Sequence, residues 1–216
     1  MAYLPFVSAD RQTVLGHYGV AQVSGSIAAT PTALDVHGSV RWAPTLANTY
    51  FVLLKLRLGW SVISAVTTAV RMTYQASIAR GFTVDFTTAA TAISLSAKPK
   101  TNAMRGTMGN SLMGVSGPRI CTTTTQSGQT YTLDAAPFAI CTWPALLAVT
   151  ATGTAVAQPA GMAGQMATLY ERNGDGMHPP VLSNNEGIAI ELTHTGIATG
   201  TYSLFTEWTW AEVLVF

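Results

Sequence analysis

The stretch YFVLLKLRLGWSV, residues 50–62, carries the plainest structural signal in the chain. Val52, Leu54, Leu56, Leu58, Trp60 and Val62 occupy every second position, and Lys55 and Arg57 fall between them. Successive side chains of an extended chain point to opposite faces, so this period of two predicts one long strand with one side buried. A helix would scatter the same residues around its circumference.

The rhythm repeats on the C-terminal side. Val70, Met72, Tyr74, Ala76 and Ile78 share one face, with Arg71, Thr73, Gln75 and Ser77 on the other, so the two strands are expected to pair as a hairpin or to face each other across a sandwich. Phe82, Val84 and Phe86 alternate with Thr83, Asp85 and Thr87, and Ile93 and Leu95 follow with Ser94 and Ser96 outside. Lys98 to Gly117 breaks the pattern with Pro99, Met104, Met108, Met113 and several glycines, which reads as a long loop or short helical turn. Arg119 to Thr125 and Thr130 to Leu133 read as a second hairpin about the turn Gln126-Ser127-Gly128-Gln129. Strands are expected again at Ala145 to Thr150, Gln165 to Arg172, Gly187 to Thr193 and Tyr202 to Trp210. Eight to ten strands make an all-β chain, an antiparallel β-sandwich that is jelly-roll-like.

Composition agrees. The 216 residues suffice for one large domain or two small ones, and 31 Thr and 31 Ala suit strands better than long helices. Only 10% of residues are charged, against roughly 25% in an average soluble domain, so much of the surface is uncharged or covered by neighbours. A net charge of +1 offers no excess to attract phosphate backbones or anionic lipid, which argues against direct binding of nucleic acid or membrane. Met1 to Asp10 lacks the basic and apolar regions of a signal peptide, and the charge-poor stretch Ala135 to Tyr170 is broken by Pro137, Pro144 and Pro159. Cys121 and Cys141 are expected as two free thiols, one bridge being the alternative. Residues 1–48, interrupted by Pro5, Pro31 and Pro44, read as an extended N-terminal arm, and 49–216 as the sandwich domain. Tyr3, Leu4, Phe6, Val7, Val14, Leu15, Tyr18 and Val20 are too many apolar residues for a solvated tail, so the arm is expected to lie on its own domain or on another copy.

No residues stand out as catalytic, cofactor-binding or metal-ligating. The ten carboxylates are scattered, the histidines His17, His37, His178 and His194 lack metal-ligand spacing, and no nucleophile elbow or phosphate-cradling glycine motif is present. Asp175, His178, Glu186 and Glu207 fall in separate loops or strands. Glu171-Arg172-Asn173-Gly174-Asp175-Gly176 partly imitates a calcium loop, but Leu182 stands where the closing Glu belongs, so a plain turn is expected. Tyr202, Phe205, Trp208 and Trp210 could form a glycan-stacking platform, yet such a run suits a core or subunit interface better, with Glu207 and Glu212 outward or beside a basic neighbour.

A series of segments resembles a group of small virion proteins of tailed bacteriophages. They are Leu54-Lys55-Leu56-Arg57-Leu58-Gly59-Trp60, Ala79-Arg80-Gly81-Phe82-Thr83-Val84, Met108-Gly109-Asn110-Ser111-Leu112 ahead of Arg119-Ile120, and Tyr131-Thr132-Leu133-Asp134. His178-Pro179-Pro180-Val181-Leu182 with Asn185-Glu186-Gly187 follows, then Ala198-Thr199-Gly200-Thr201-Tyr202 leading to Glu207-Trp208 and Trp210-Ala211-Glu212-Val213. The resemblance spans about residues 50–213 and includes no catalytic motif. It implies a non-enzymatic structural subunit of the virion, assembled in the bacterial host cytoplasm. Its partners would be copies of itself in a homo-oligomer, a trimer among the candidate states, and the major capsid protein or other virion proteins. A capsid decoration (cement) protein is the leading expectation. A neck or tail accessory or fibre protein that binds host glycan is the alternative, and a glycan-degrading enzyme is disfavoured. No cofactor is expected.

Overall fold

The computed structural model describes residues 14–28, 33–64, 72–92, 111–113, 117–123, 125–143, 166–172, 178–193 and 200–214. Thirteen strands run through them: β1 (Val14–Val23), β2 (Ile27–Ala28), β3 (Val36–Trp42), β4 (Tyr50–Ser64), β5 (Met72–Val84), β6 (Ala90–Ala92), β7 (Arg119–Cys121), β8 (Thr130–Leu133), β9 (Ala139–Trp143), β10 (Ala167–Glu171), β11 (Val181–Leu182), β12 (Glu186–Leu192) and β13 (Thr201–Val213). They form two antiparallel sheets packed face to face, a β-sandwich. The first has the order β1-β13-β4-β10, with β2 beside β13 and β11 beside β4; the second has the order β6-β7-β3-β12-β5-β8, with β9 beside β5.

Residues 50–62 lie in the single strand β4, whose inward face is the one the sequence marks at Leu56, Leu58 and Trp60. Upstream the facing reverses. Thr209 pairs with Lys55 and Trp210 with Leu53, so Leu54 is an extra residue without a partner in the ladder. This bulge turns Phe51 and Leu53 into the core, and it moves Val52 and Leu54 to the outer face, where Val52 packs with Ala211 and Val213. The expected facing of Val52 and Leu54 is corrected accordingly.

The core lies between the sheets. Tyr202, Leu204, Trp208 and Trp210 of β13 meet Met72, Tyr74 and Ala76 of β5 and Ile188, Ile190 and Leu192 of β12, all completely or almost completely buried. Tyr18 stacks on Trp210 and Trp210 on Phe51, with ring centroids 5.7 Å apart in each case. Each such side chain contributes about 1.5–3 kcal/mol by leaving water. A second, smaller core covers the outer face of the other sheet, where Phe82, Phe86 and Tyr131 pack edge to face over Val36, Ala79 and Ala189. Phe82 belongs to this cluster because β5 is irregular after Arg80, where Gly81 takes φ +60°. Gly187 lies beneath it, and a Cβ there would meet the Val40 carbonyl oxygen and the Phe82 ring.

Two further expectations change, and one choice between alternatives is decided. Residues 14–28 and 33–48 do not stand apart as an arm: β1 runs along β13, and β3 lies between β7 and β12 in the middle of the other sheet. Proline-broken sequence hides these strands, but Tyr18, Ile27, Val36, Val40 and Trp42 are buried in the chain's own sandwich. The strands β4 and β5 occupy different sheets, so of the two expected arrangements, a hairpin or strands facing each other across a sandwich, the chain takes the second. Nor do β7 and β8 pair: β7 joins β3 and β6, and β8 joins β5. The expected strands at Ile93 to Leu95 and Ala145 to Thr150, most of the Lys98 to Gly117 loop, and residues 173–177 of the calcium-like segment lie outside the described residues.

Candidate functional site

On the outer face of the first sheet, the register aligns polar side chains into rows across four strands. Gly19, Thr209, Lys55 and Glu171 form one row; Ala21, Glu207, Arg57 and Thr168 form the next. Within them Lys55 Nζ meets Glu171 Oε1 at 2.9 Å and Arg57 Nη1 meets Glu207 Oε2 at 3.0 Å. These side chains remain about a third or more exposed, so each pair adds little to stability while neutralising its own charge. A third row, Val23, Phe205 and Gly59, is apolar.

Small residues on β1 shape this face. Gly19 has no side chain and Ala21 only a methyl, which leaves a hollow of about 210 Å³ lined by Gly19, Val20, Ala21, Glu207, Trp208 and Thr209. Val23, two residues further along the same face of the strand, is 60% exposed. The face therefore offers a shallow hollow and an apolar knob side by side, flanked by ion pairs that already satisfy each other.

Four further carboxylates hold strands together. Asp134 takes two hydrogen bonds from Arg80, 2.7 and 2.9 Å, and these hold its carboxyl below the usual range. Arg80 also donates to Glu186 at 2.6 Å. Glu186 in turn accepts from the backbone and hydroxyl of Ser183, closing a turn in which Asn185 takes φ +62°. Asp85 lies 2.9 Å from Arg119. Glu191 is buried on the outer face of the second sheet, accepting from Gln75 and Ser77.

Two buried titratable groups escape sequence reasoning. His37 is the extra residue of a bulge in β3, since Ile190 pairs with Gly38 and Glu191 with Val36. It points inward with no solvent exposure, its Nδ1 3.0 Å from the Tyr74 hydroxyl, which is 3.5 Å from that of Tyr202. Burial pushes its pKa down to about 4, against a smaller opposing effect of Asp35. Glu212 follows Trp208 and Trp210 on the inward face, which corrects the expectation that it points outward or meets a basic neighbour. It accepts hydrogen bonds from Ser111 Oγ, Leu112 N and Trp210 Nε1 at 2.5, 2.9 and 3.1 Å, and burial raises its pKa despite them. The period of β13 continued two residues past Trp210 marks Glu212 as inward; nothing local marks the bulge at His37.

The structure does not bring the singled-out residues together. Glu207 lies on the outer face of the first sheet, Glu186 at the start of β12, and His178 is exposed ahead of β11; Asp175 and His194 lie outside the described residues. Tyr202, Trp208 and Trp210 are wholly buried as core, and only Phe205 of that run faces outward. Cys121 and Cys141 are free thiols, with Cys121 buried and its pKa raised to about 12. Among the described residues no three His, Cys, Asp or Glu side chains are placed to hold a metal ion. Comparison with family models and with curated proteins finds no match to the chain.

Proposed function

We propose that the chain is a non-enzymatic structural component of a tailed-bacteriophage particle that associates with copies of itself and with other virion proteins, as a decoration (cement) protein on the capsid. The observation that carries this reading is the use made of seven of the eight described carboxylates. Glu171, Glu207, Asp134, Glu186 and Asp85 each meet a basic side chain of another strand, and Glu191 and Glu212 are buried beneath hydroxyl, amide and indole donors. Groups used in this way stiffen a scaffold, whereas catalysis needs them convergent and facing a substrate. Many of the segments behind the sequence resemblance also fall on framework strands of both sheets, β4, β5, β7, β8, β11, β12 and β13. Apolar side chains exposed on strands, Val23, Ile63 and Ile140, are each more than half accessible and give such a scaffold surface to bury against neighbours.

Quantitative mass spectrometry of purified particles tests the proposal. A capsid decoration protein is expected at hundreds of copies per particle. A count of roughly six or twelve, set by the cyclic symmetry of a neck, tail or fibre, would move the chain to the alternative location. Its absence from purified particles would overturn the virion reading.

A further inference from the structure

The strand β1 borders β13 on one side, and among the described residues no strand occupies its other side. A free edge presents backbone N–H and C=O groups spaced to receive another strand, and proteins that keep such an edge unpaired block it with Lys, Pro, inward charge or a bulge. Val14–Val23 contains no Lys, Arg, Asp, Glu or Pro, and its only irregularity is at the far end, between Val14 and Gly16. The stretch Gly19–Val23 is therefore open to pairing in both charge and backbone geometry.

We propose that a second copy of this chain pairs with this edge, antiparallel and centred on Ala21, so that the first sheet continues across a two-fold axis. Shape selects the occupant. Pairing about Ala21 sets Gly19 of one copy opposite Val23 of the other, so the exposed valine of each enters the hollow beside Gly19 and Ala21 of its partner. Knob and hollow lie on the same face of one strand, which is what a two-fold contact requires: one patch complementary to itself. Charge permits it as well. The nearest acidic group, Glu207, sits one strand in from the edge and is tied to Arg57. It would lie three strand spacings from its equivalent, about 14 Å at roughly 4.8 Å per strand, beyond a Debye length at physiological salt. The contact closes on itself, because the opposite edge of the sheet is formed by the different strand β10.

This inference deepens the self-association in the proposed function and rests on that part of it. The full chain is expected to run in size-exclusion chromatography with light scattering at twice the single-chain mass. Ala21→Lys, which places two ammonium groups on the axis, should halve that mass and leave the far-ultraviolet circular dichroism unchanged. In a Cys141→Ser background, oxidised Ala21→Cys should form a disulfide-linked dimer, since a residue on the axis meets itself across one strand spacing. Gly19→Cys should not, because it faces Val23. A native chain of single-chain mass, a dimer that survives Ala21→Lys, or cross-linking at position 19 as ready as at 21 would each overturn the pairing. Particle stoichiometry is read separately: a chain present in particles yet monomeric in solution defeats this inference alone, and a dimer absent from particles defeats only the virion reading.

Discussion

Acidification should destabilise this protein through His37. The imidazole is wholly buried between the sheets, against Tyr74 and Tyr202, and its pKa lies near about 4 against an ordinary value of 6.5. Between those values the unfolded chain binds a proton that the folded chain refuses, so stability falls as pH falls. The contribution is intact above pH 6.5 and lost progressively towards pH 4, below which the folded protein takes the proton too. A difference of about 2.5 units amounts to roughly 3 kcal/mol, or about 1.4 kcal/mol for each pH unit in the middle of the window. Glu212 has the opposite sign: its raised pKa means that the folded state takes the proton more readily, and acid relieves the cost of burying its charge. The total pH profile therefore mixes the two, and the His37 part is isolated by comparison with His37→Gln, which does not titrate. Urea unfolding of both proteins at pH 7, 6, 5 and 4 should show the native chain losing roughly 3 kcal/mol relative to the variant. Parallel profiles for the two proteins would refute the reasoning.

Other perturbations have equally definite outcomes. Deleting residues 1–48 should abolish folding, because it removes β1 and takes β3 from between β7 and β12; cooperative unfolding of the purified truncation would contradict this. Leu56→Asp buries an unpaired carboxylate in the core and should prevent soluble expression, whereas Lys55→Asp, which breaks only the exposed pair with Glu171, should cost under about 1 kcal/mol in urea unfolding. Glu212→Ala leaves the Ser111, Leu112 and Trp210 donors without their acceptor, at a cost of about 1–3 kcal/mol for each one that stays buried. Its cleavage by protease near Ser111–Met113 should accelerate, and an unchanged digestion pattern would count against the anchor. Glu207→Ala should leave particle infectivity unchanged except through stability or the packing of a neighbouring copy in the hollow it lines, since its partner is Arg57, itself about a third exposed; loss of infectivity in a variant of native stability and native oligomeric state would speak for a direct role.

Alternation made β4, β5 and β13 legible in the sequence because each buries one face along most of its length; in β12, Ile188, Ile190 and Leu192 alternate as expected, but Ala189 and Glu191 on its other face are buried too. It misplaced Val52 and Leu54, since one unmatched residue reverses the facing of everything upstream and only the opposing strand reveals it. The same holds for His37, which a regular β3 would place on the face of Ser39 and Arg41. The strand β1 was obscured by its glycines and by the prolines on either side, although Tyr18 and Gln22 keep the period of two. The hollow beside Gly19 could not be anticipated, because it depends on Glu207 and Thr209, which arrive from the other end of the chain. The scatter of the carboxylates was legible; that five of them meet basic side chains on other strands depends on the pairing of those strands.

The position of β13 sets an order of events during synthesis. It is the last of the described strands, yet it lies between β1 and β4 and also takes β2, so β1 and β2 have no sheet neighbour, and β4 has only β10 and β11, until residues 201–213 have left the ribosome. Val14 then has to find Val213, and contacts so distant in sequence form slowly. For most of translation, at about 5–20 residues per second, the apolar faces of β1 and β4 wait without their central partner. A nascent chain arrested before Thr201 would hold the strands of the second sheet but only β4, β10 and β11 of the first paired to cover them, and holding chaperones should bind it up to the moment β13 is released.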